Sequence, residues 1–95
     1  MERSIDITLY GRPECCLCDE AKATLARVAP AYAAAVREVN IASDPELLAR
    51  FGEEIPVVFV DGRKAFKFRV PERELRCRLE RALAERRAGP QEAAR

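Results

Sequence analysis

Cys15 and Cys18 are two thiols separated by two residues, in the run Pro13-Glu14-Cys15-Cys16-Leu17-Cys18. A β-type run over residues 5–10 precedes them, and a helix-type run over residues 17–28 follows. Two cysteines at the start of a helix can close a small disulfide ring and reopen it. The attacking species is the thiolate, and both Cys-x-x-Cys spacing and a helix N-terminus tend to lower thiol pKa values. In its strand-to-helix setting the pair is a redox signal. Cys15 is the expected nucleophile, because it lies nearest the unsatisfied N–H groups and positive dipole end of the helix. Arg12 adds a cation just ahead of it. Attack on a disulfide would leave Cys15 in a mixed disulfide. Cys18, a turn deeper and less exposed, would then attack Cys15 and release the reduced target. Its partly apolar position should raise its pKa, which an intramolecular attack tolerates through its high effective concentration.

The other two thiols carry less. A bridge between the neighbours Cys15 and Cys16 would be strained, given the Cα separation disulfides need. Cys16 reads as an exposed spacer at the rim, or as a trap for glutathione or oxidant. Cys77 falls opposite the stripe Leu75, Leu79 and Leu83, so it is expected on the surface. There it is an incidental thiol, a link between two chains or an acceptor of glutathione. The chain has no histidine, which removes the commonest mixed zinc site and any Cys–His nucleophile pair.

These thiols must be positioned by a small frame. Ninety-five residues make one domain with a modest core. A hydrophobic content of 48% beside 35% charged residues fits a folded globule rather than a disordered chain. The net charge is +1 with basic and acidic residues interleaved, which argues against a nucleic-acid partner. No apolar run is long enough to span a bilayer, so no membrane partner is expected. Met1, Glu2, Arg3 and Ser4 lead into the first strand without a signal-peptide apolar region. A cytoplasmic location follows, where paired cysteines are more often catalytic or metal-binding than structural.

The pattern of elements is βαβαββα. Ile5, Ile7 and Leu9 alternate with polar neighbours in a first strand, broken by Gly11-Arg12-Pro13. Leu17, Ala21, Leu25 and Val28 form the apolar stripe of a first helix, with Asp19 and Glu20 in its first turn and Pro30 at its end. An alanine-rich stretch around Tyr32 either extends that helix or leads into a second strand over residues 36–40. Ser43-Asp44-Pro45-Glu46 reads as a capped helix start. Leu47, Leu48 and Phe51 give this short helix a buried side, and Gly52 terminates it. Residues 57–60 are apolar enough for a strand covered on both faces. Asp61-Gly62 is a hairpin signal, followed by an edge strand over residues 64–69 with Phe66, Phe68 and Val70 on one face. Phe51, Phe59, Phe66 and Phe68 read as core. The last helix starts near Pro71 and Glu72 and buries Leu75, Leu79, Ala82 and Leu83. Its charged run from Arg73 reads as a solvated face with i,i+4 pairs. Gly89-Pro90 ends the structure, giving a domain over residues 1–87 and a flexible tail over residues 88–95. Parallel strands from the βαβ half and a hairpin from the ββ half make a mixed four-stranded sheet with helices on both faces.

The run Leu9-Tyr10-Gly11-Arg12-Pro13-Glu14-Cys15-Cys16-Leu17-Cys18-Asp19-Glu20-Ala21 resembles the active-site segment of glutaredoxin-like proteins. It is most similar to a small bacterial branch with leucine before the second cysteine and Asp-Glu-Ala after it. Glu54-Ile55-Pro56-Val57-Val58-Phe59-Val60-Asp61-Gly62 is similar to the segment in which that family and thioredoxins keep a cis-proline facing the redox cysteines. The resemblance covers residues 5–83. It implies an α/β thioredoxin-like fold and a thiol–disulfide oxidoreductase with Cys15 and Cys18 as its redox pair. It also implies substrate contacts from Arg12, Ile55 and a cis Pro56, whose loop would pair with an extended peptide or the cysteinyl part of glutathione. No tightly bound cofactor is implied. The substrate would be a protein disulfide or a glutathione mixed disulfide, reduced by a monomer. The Gly-Gly turn of glutathione-binding members is replaced here by Arg69-Val70-Pro71-Glu72-Arg73, so the electron donor is either glutathione or a reductase. Some relatives share an iron–sulfur cluster between two chains, which makes a cluster or metal carrier the alternative; four thiolate ligands would require a dimer.

Overall fold

The structure, a computed structural model, describes residues 5–88. The elements are β1 (Asp6–Gly11), α1 (Cys16–Val28), β2 (Ala35–Asn40), α2 (Pro45–Phe51), β3 (Val57–Val60), β4 (Arg63–Lys67) and α3 (Glu72–Ala88). The alanine-rich stretch is a 3₁₀ turn over Ala29–Tyr32, closed by Ala33 in a left-handed conformation at φ 53°. A second 3₁₀ turn, Ile41–Ser43, leads into α2. The sheet order is β2-β1-β3-β4. β1 and β2 are parallel across the α1 crossover, and the other two pairings are antiparallel. The mixed four-stranded sheet is thus as expected, with β4 at one edge.

Two apolar clusters lie on opposite faces of the sheet. Ile5, Ile7, Leu9, Val58 and Val60 face Ala21, Leu25 and Val28 of α1 and Leu75, Leu79 and Ala82 of α3. On the other face Ile41, Phe51 and Val57 pack with Tyr10, Leu47, Ile55 and Phe59 beneath α2. Alternate residues of β3 therefore serve different clusters, which explains its unbroken apolar run. Glu72 ties α3 to α1, accepting from Arg27 at 2.9 Å and from Arg76 at 2.9 Å. Asp61 and Gly62, at φ 51° and 84°, form the β3–β4 turn with both central residues left-handed, the geometry that Asp-Gly favours.

Several expectations need correction. β4 stops at Lys67 rather than at residue 69, and its alternation is broken by a bulge: Val58 pairs with Phe66 but Phe59 pairs with Lys64. The extra residue, Ala65, packs with Phe66 on the same cluster, as a bulge permits. Phe68 then turns into the left-handed region at φ 70°, so its ring is 44% exposed rather than in the core. Leu48 is also exposed, and the buried side of α2 rests on Phe51 with Leu47 half-buried. The buried stripe of α1 begins at Cys18, and Leu17 is only half-buried. Asp19 lies in its first turn and Glu20 just beyond. α3 runs to Ala88. The expected stop at Gly89-Pro90, the remaining tail and the leader-free Met1–Ser4 start lie outside the described residues. Among the described residues, no helix is long and apolar enough to cross a membrane.

Candidate active site

The site begins where β1 ends. Gly11 is the last strand residue, and Arg12, Pro13 and Glu14 carry the chain to α1. Glu14 makes the corner in a left-handed conformation, φ 63°. Cys15 then adopts an extended conformation, φ −116° and ψ 111°, as the N-cap of α1. Its carbonyl accepts from Asp19 N at 3.0 Å, and its sulfur accepts from Cys18 N at 3.2 Å. The Cys15 side chain thus takes the place that a serine or aspartate oxygen fills at other helix starts, pairing one of the amides a helix leaves unsatisfied.

The four cysteines are free. Cys15 is half-buried, Cys16 and Cys77 are exposed, and Cys18 is buried. Burial, followed by its hydrogen bond to Cys15, pushes the Cys18 thiol up from 9.0 to about 11; a hydrogen bond from the Arg12 backbone acts in the opposite sense. The Arg12 side chain is exposed, and its main chain reaches Cys18.

A hollow lies on each flank of the α1 start. One, about 300 Å³, opens between α1 and β2 and is lined by Gly11, Arg12, Cys18, Lys22, Glu38 and Asn40 among others. The other, about 240 Å³, lies between α1 and the segment after β4, where Leu17, Ala21, Thr24, Phe68, Val70 and Pro71 meet. The Ile55–Pro56 bond is cis. Pro56 is buried and Ile55 half-buried. Val57 pairs with Tyr10, so the Ile55–Pro56 loop and the thiol-bearing loop emerge at the same end of the sheet. Phe68 N donates to both Pro56 O, at 2.9 Å, and Glu54 O, at 3.2 Å. The Glu54 carboxylate accepts from Lys64 at 2.7 Å. The proline loop is thereby fastened to β4.

In the sequence Gly11 reads only as a strand breaker. A Cβ built on it would lie 2.9 Å from Cys18 Sγ, so its bare backbone makes room for the buried thiol. A glycine at a strand end does signal a close approach, but not what approaches. Among the described residues, no group of three or more His, Cys, Asp or Glu side chains comes together to hold a metal ion.

Comparison with known proteins places this arrangement. Residues 6–80 match the family described as Glutaredoxin-like domain (DUF836). The structure is similar to that of a structural-genomics target protein, XcR50, from X. campestris, at 34% identity and TM-score 0.68, over 79% of this chain and 96% of that one. It is also similar to protein Ne2328 from Nitrosomonas europaea, at 19% identity and TM-score 0.69, over 82% and 94% of the two chains. A mutant thioredoxin from Halobacterium salinarum shares the fold at 17% identity and TM-score 0.64, over 83% of this chain and 74% of that one. Among curated proteins none matches the chain. The fold is α/β and thioredoxin-like.

Proposed function

The chain belongs to the glutaredoxin-like domain family, and on that premise we propose that it is a dithiol–disulfide oxidoreductase acting on protein disulfides or glutathione mixed disulfides. The observation that carries this reading is the pairing of Cys15, half-buried at the head of α1 with an amide on its sulfur, with a buried second thiol on the same turn.

Cys15 thiolate attacks one sulfur of the target disulfide. A Cys15–target bond forms and the other target sulfur leaves as a thiolate. In the free dithiol, the hydrogen bond and charge of Cys15 both help to hold the Cys18 proton. Once Cys15 is bonded to the target sulfur, that charge is gone, while burial remains. Cys18 then ionises more readily than before, and its thiolate attacks Cys15 Sγ. The Cys15–Cys18 bond forms, the second target thiolate leaves, and two electrons have passed from the dithiol to the target. The thiols are used in a fixed order because the first transfer removes a barrier to the second.

In this reading the loop of Ile55 and Pro56 receives the target backbone beside the mixed disulfide, and Arg12 lies at the lip of the site. The protein works as a cytoplasmic monomer with no tightly bound cofactor. Glutathione or a flavoprotein reductase returns the electrons. The test is to follow reduction of a small disulfide by the dithiol form, then to offer the oxidised protein glutathione with its reductase or a thioredoxin reductase. Disulfide reduction that disappears in Cys15→Ser supports the reading, and the reductant that regenerates the dithiol identifies the donor class. Reduction that persists in Cys15→Ser overturns it.

A further inference from the structure

Gly11 ends β1 opposite Asn40 of β2. Its backbone does not demand glycine, because the positive-φ glycine among the described residues is Gly62. The constraint is room. Apart from its chain neighbours, the atoms that an added Cβ would meet within 4 Å are Cys18 Sγ at 2.9 Å and Cys18 Cβ at 3.3 Å. The first distance is shorter than close-packed interiors tolerate. Cys18 has little freedom to yield. Its backbone is fixed in α1, its amide is committed to Cys15 Sγ, and its side chain is 6% exposed. The remaining motion is rotation about χ1, which takes the sulfur out of its rotamer well and away from the Arg12 amide.

We propose that Gly11 is a positioning residue for the second thiol transfer: the room left by its missing side chain lets Cys18 Sγ keep the position from which it attacks Cys15 Sγ. This rests on the reading of the thiol pair given above. The attack is a displacement in which Cys18 Sγ bonds to Cys15 Sγ as the target thiolate departs, so the two sulfurs and the leaving sulfur must align. Any side chain at position 11 displaces the attacking sulfur. Cys15 is not among the atoms that the added Cβ meets, so the first transfer is spared.

The experiment is a single-turnover reaction of the reduced protein, carrying Cys16→Ser and Cys77→Ser in the parent and in every variant so that the two exposed thiols release nothing, with a symmetric aromatic disulfide whose released aryl thiolate absorbs visible light. The first transfer releases one aryl thiolate and the second releases another. Cys18→Ser should stop after one equivalent. Gly11→Ala should release the first equivalent at a rate within about twofold of the parent protein and the second about tenfold or more slowly, as expected for a misplaced reacting group. Intact protein mass should show the Cys15–aryl mixed disulfide persisting in that interval. If the variant releases both equivalents at parental rates, or slows both phases by the same factor, Gly11 has no positioning role. If the parent protein itself releases one equivalent or none, it is the dithiol reading that fails. Thermal unfolding supplies a second measurement that does not depend on turnover. Gly11→Ala should lower the melting temperature in the Cys18 protein and lower it less in a Cys18→Ala background, where the obstructing sulfur is gone. Equal losses in the two backgrounds, or failure of both variants to fold, would also overturn the proposal.

Discussion

The amide of Cys18 donates to the sulfur of Cys15 across 3.2 Å, while the thiol of Cys18 lies buried behind the same helical turn. One residue therefore solvates the half-buried sulfur of Cys15 with its main chain and keeps its own sulfur out of water. The pair is asymmetric in reach, and burial raises the pKa of the inner thiol; both can be read by chemistry on the reduced protein.

Alkylation of the reduced chain at neutral pH should leave Cys18 for last. Cys16 and Cys77 are exposed, and Cys15 is half-buried. Cys18 sits near pKa 11 rather than 9.0. Its smaller thiolate fraction, partly offset by the greater nucleophilicity of a more basic sulfur, should slow it roughly ten- to a hundredfold against an exposed thiol, before any further loss from burial. Peptide mass spectrometry after timed quenching measures the order. Labelling of Cys18 ahead of Cys77 would contradict the burial of the second thiol.

The same shift links stability to pH. Cys18 has a folded-state pKa raised above its ordinary value of 9.0. A group of this kind stabilises the fold below its unfolded pKa, and the contribution is lost as pH rises through the folded value. The reduced protein should therefore lose stability between about pH 9 and pH 11, by on the order of 2 kcal/mol. Urea midpoints across that window should fall for the parent and stay flatter for Cys18→Ala, which has no thiol to ionise. Parallel pH profiles in the two proteins would remove Cys18 as the cause.

α2 has seven residues and depends on its cap. Asp44 accepts from Glu46 N at 3.0 Å and Leu47 N at 3.3 Å, and Pro45 presets the first helical φ. Asp44→Ala should cost about 1 kcal/mol, read as a lower denaturation midpoint with unchanged slope, whereas Asp44→Asn should recover most of it.

Features whose cause is local were legible in the sequence. Asp44-Pro45, Asp61-Gly62 and the Cys15–Cys18 spacing each act through a few neighbouring bonds, and each appears where the residue types require it. The order of elements followed from the apolar periods, and the resemblance to glutaredoxin-like proteins pointed to the cis bond before Pro56. Features that depend on pairing were not legible. A strict period of two puts Phe68 on the same face as Phe66, but β4 ends at Lys67 and Phe68 turns left-handed with its amide held by the Glu54 and Pro56 carbonyls; the bulge at Ala65 likewise exists only in the pairing of β4 with β3. Nor does any pattern in the run from Gly11 to Cys18 reveal that a sulfur lies 2.9 Å from where a methyl group on Gly11 would be. That contact exists only once the strand, the corner at Glu14 and the helix are folded together. The charge of Arg12 is legible in the sequence, whereas the reach of its backbone to Cys18 is not.

Two phenylalanines that look alike in sequence should therefore separate in a stability measurement. Phe51 is 4% exposed, and its ring lies 4.8 Å from that of Tyr10 and 5.9 Å from that of Phe59. Phe51→Ala should cost about 3–5 kcal/mol, since it opens a cavity under α2 and removes two ring contacts. Phe68 is 44% exposed and holds a left-handed φ that a side chain disfavours by roughly 1–2 kcal/mol. Phe68→Gly relieves that strain and keeps the amide that donates to Pro56 and Glu54. Against this it gives up some apolar contact and raises the entropy of the unfolded chain. The opposing effects should leave stability within about 1 kcal/mol of the parent. Chemical denaturation of both variants measures the contrast. A large loss in Phe68→Gly would mean that its ring is packed in solution and that the left-handed corner after β4 is not the conformation the protein keeps.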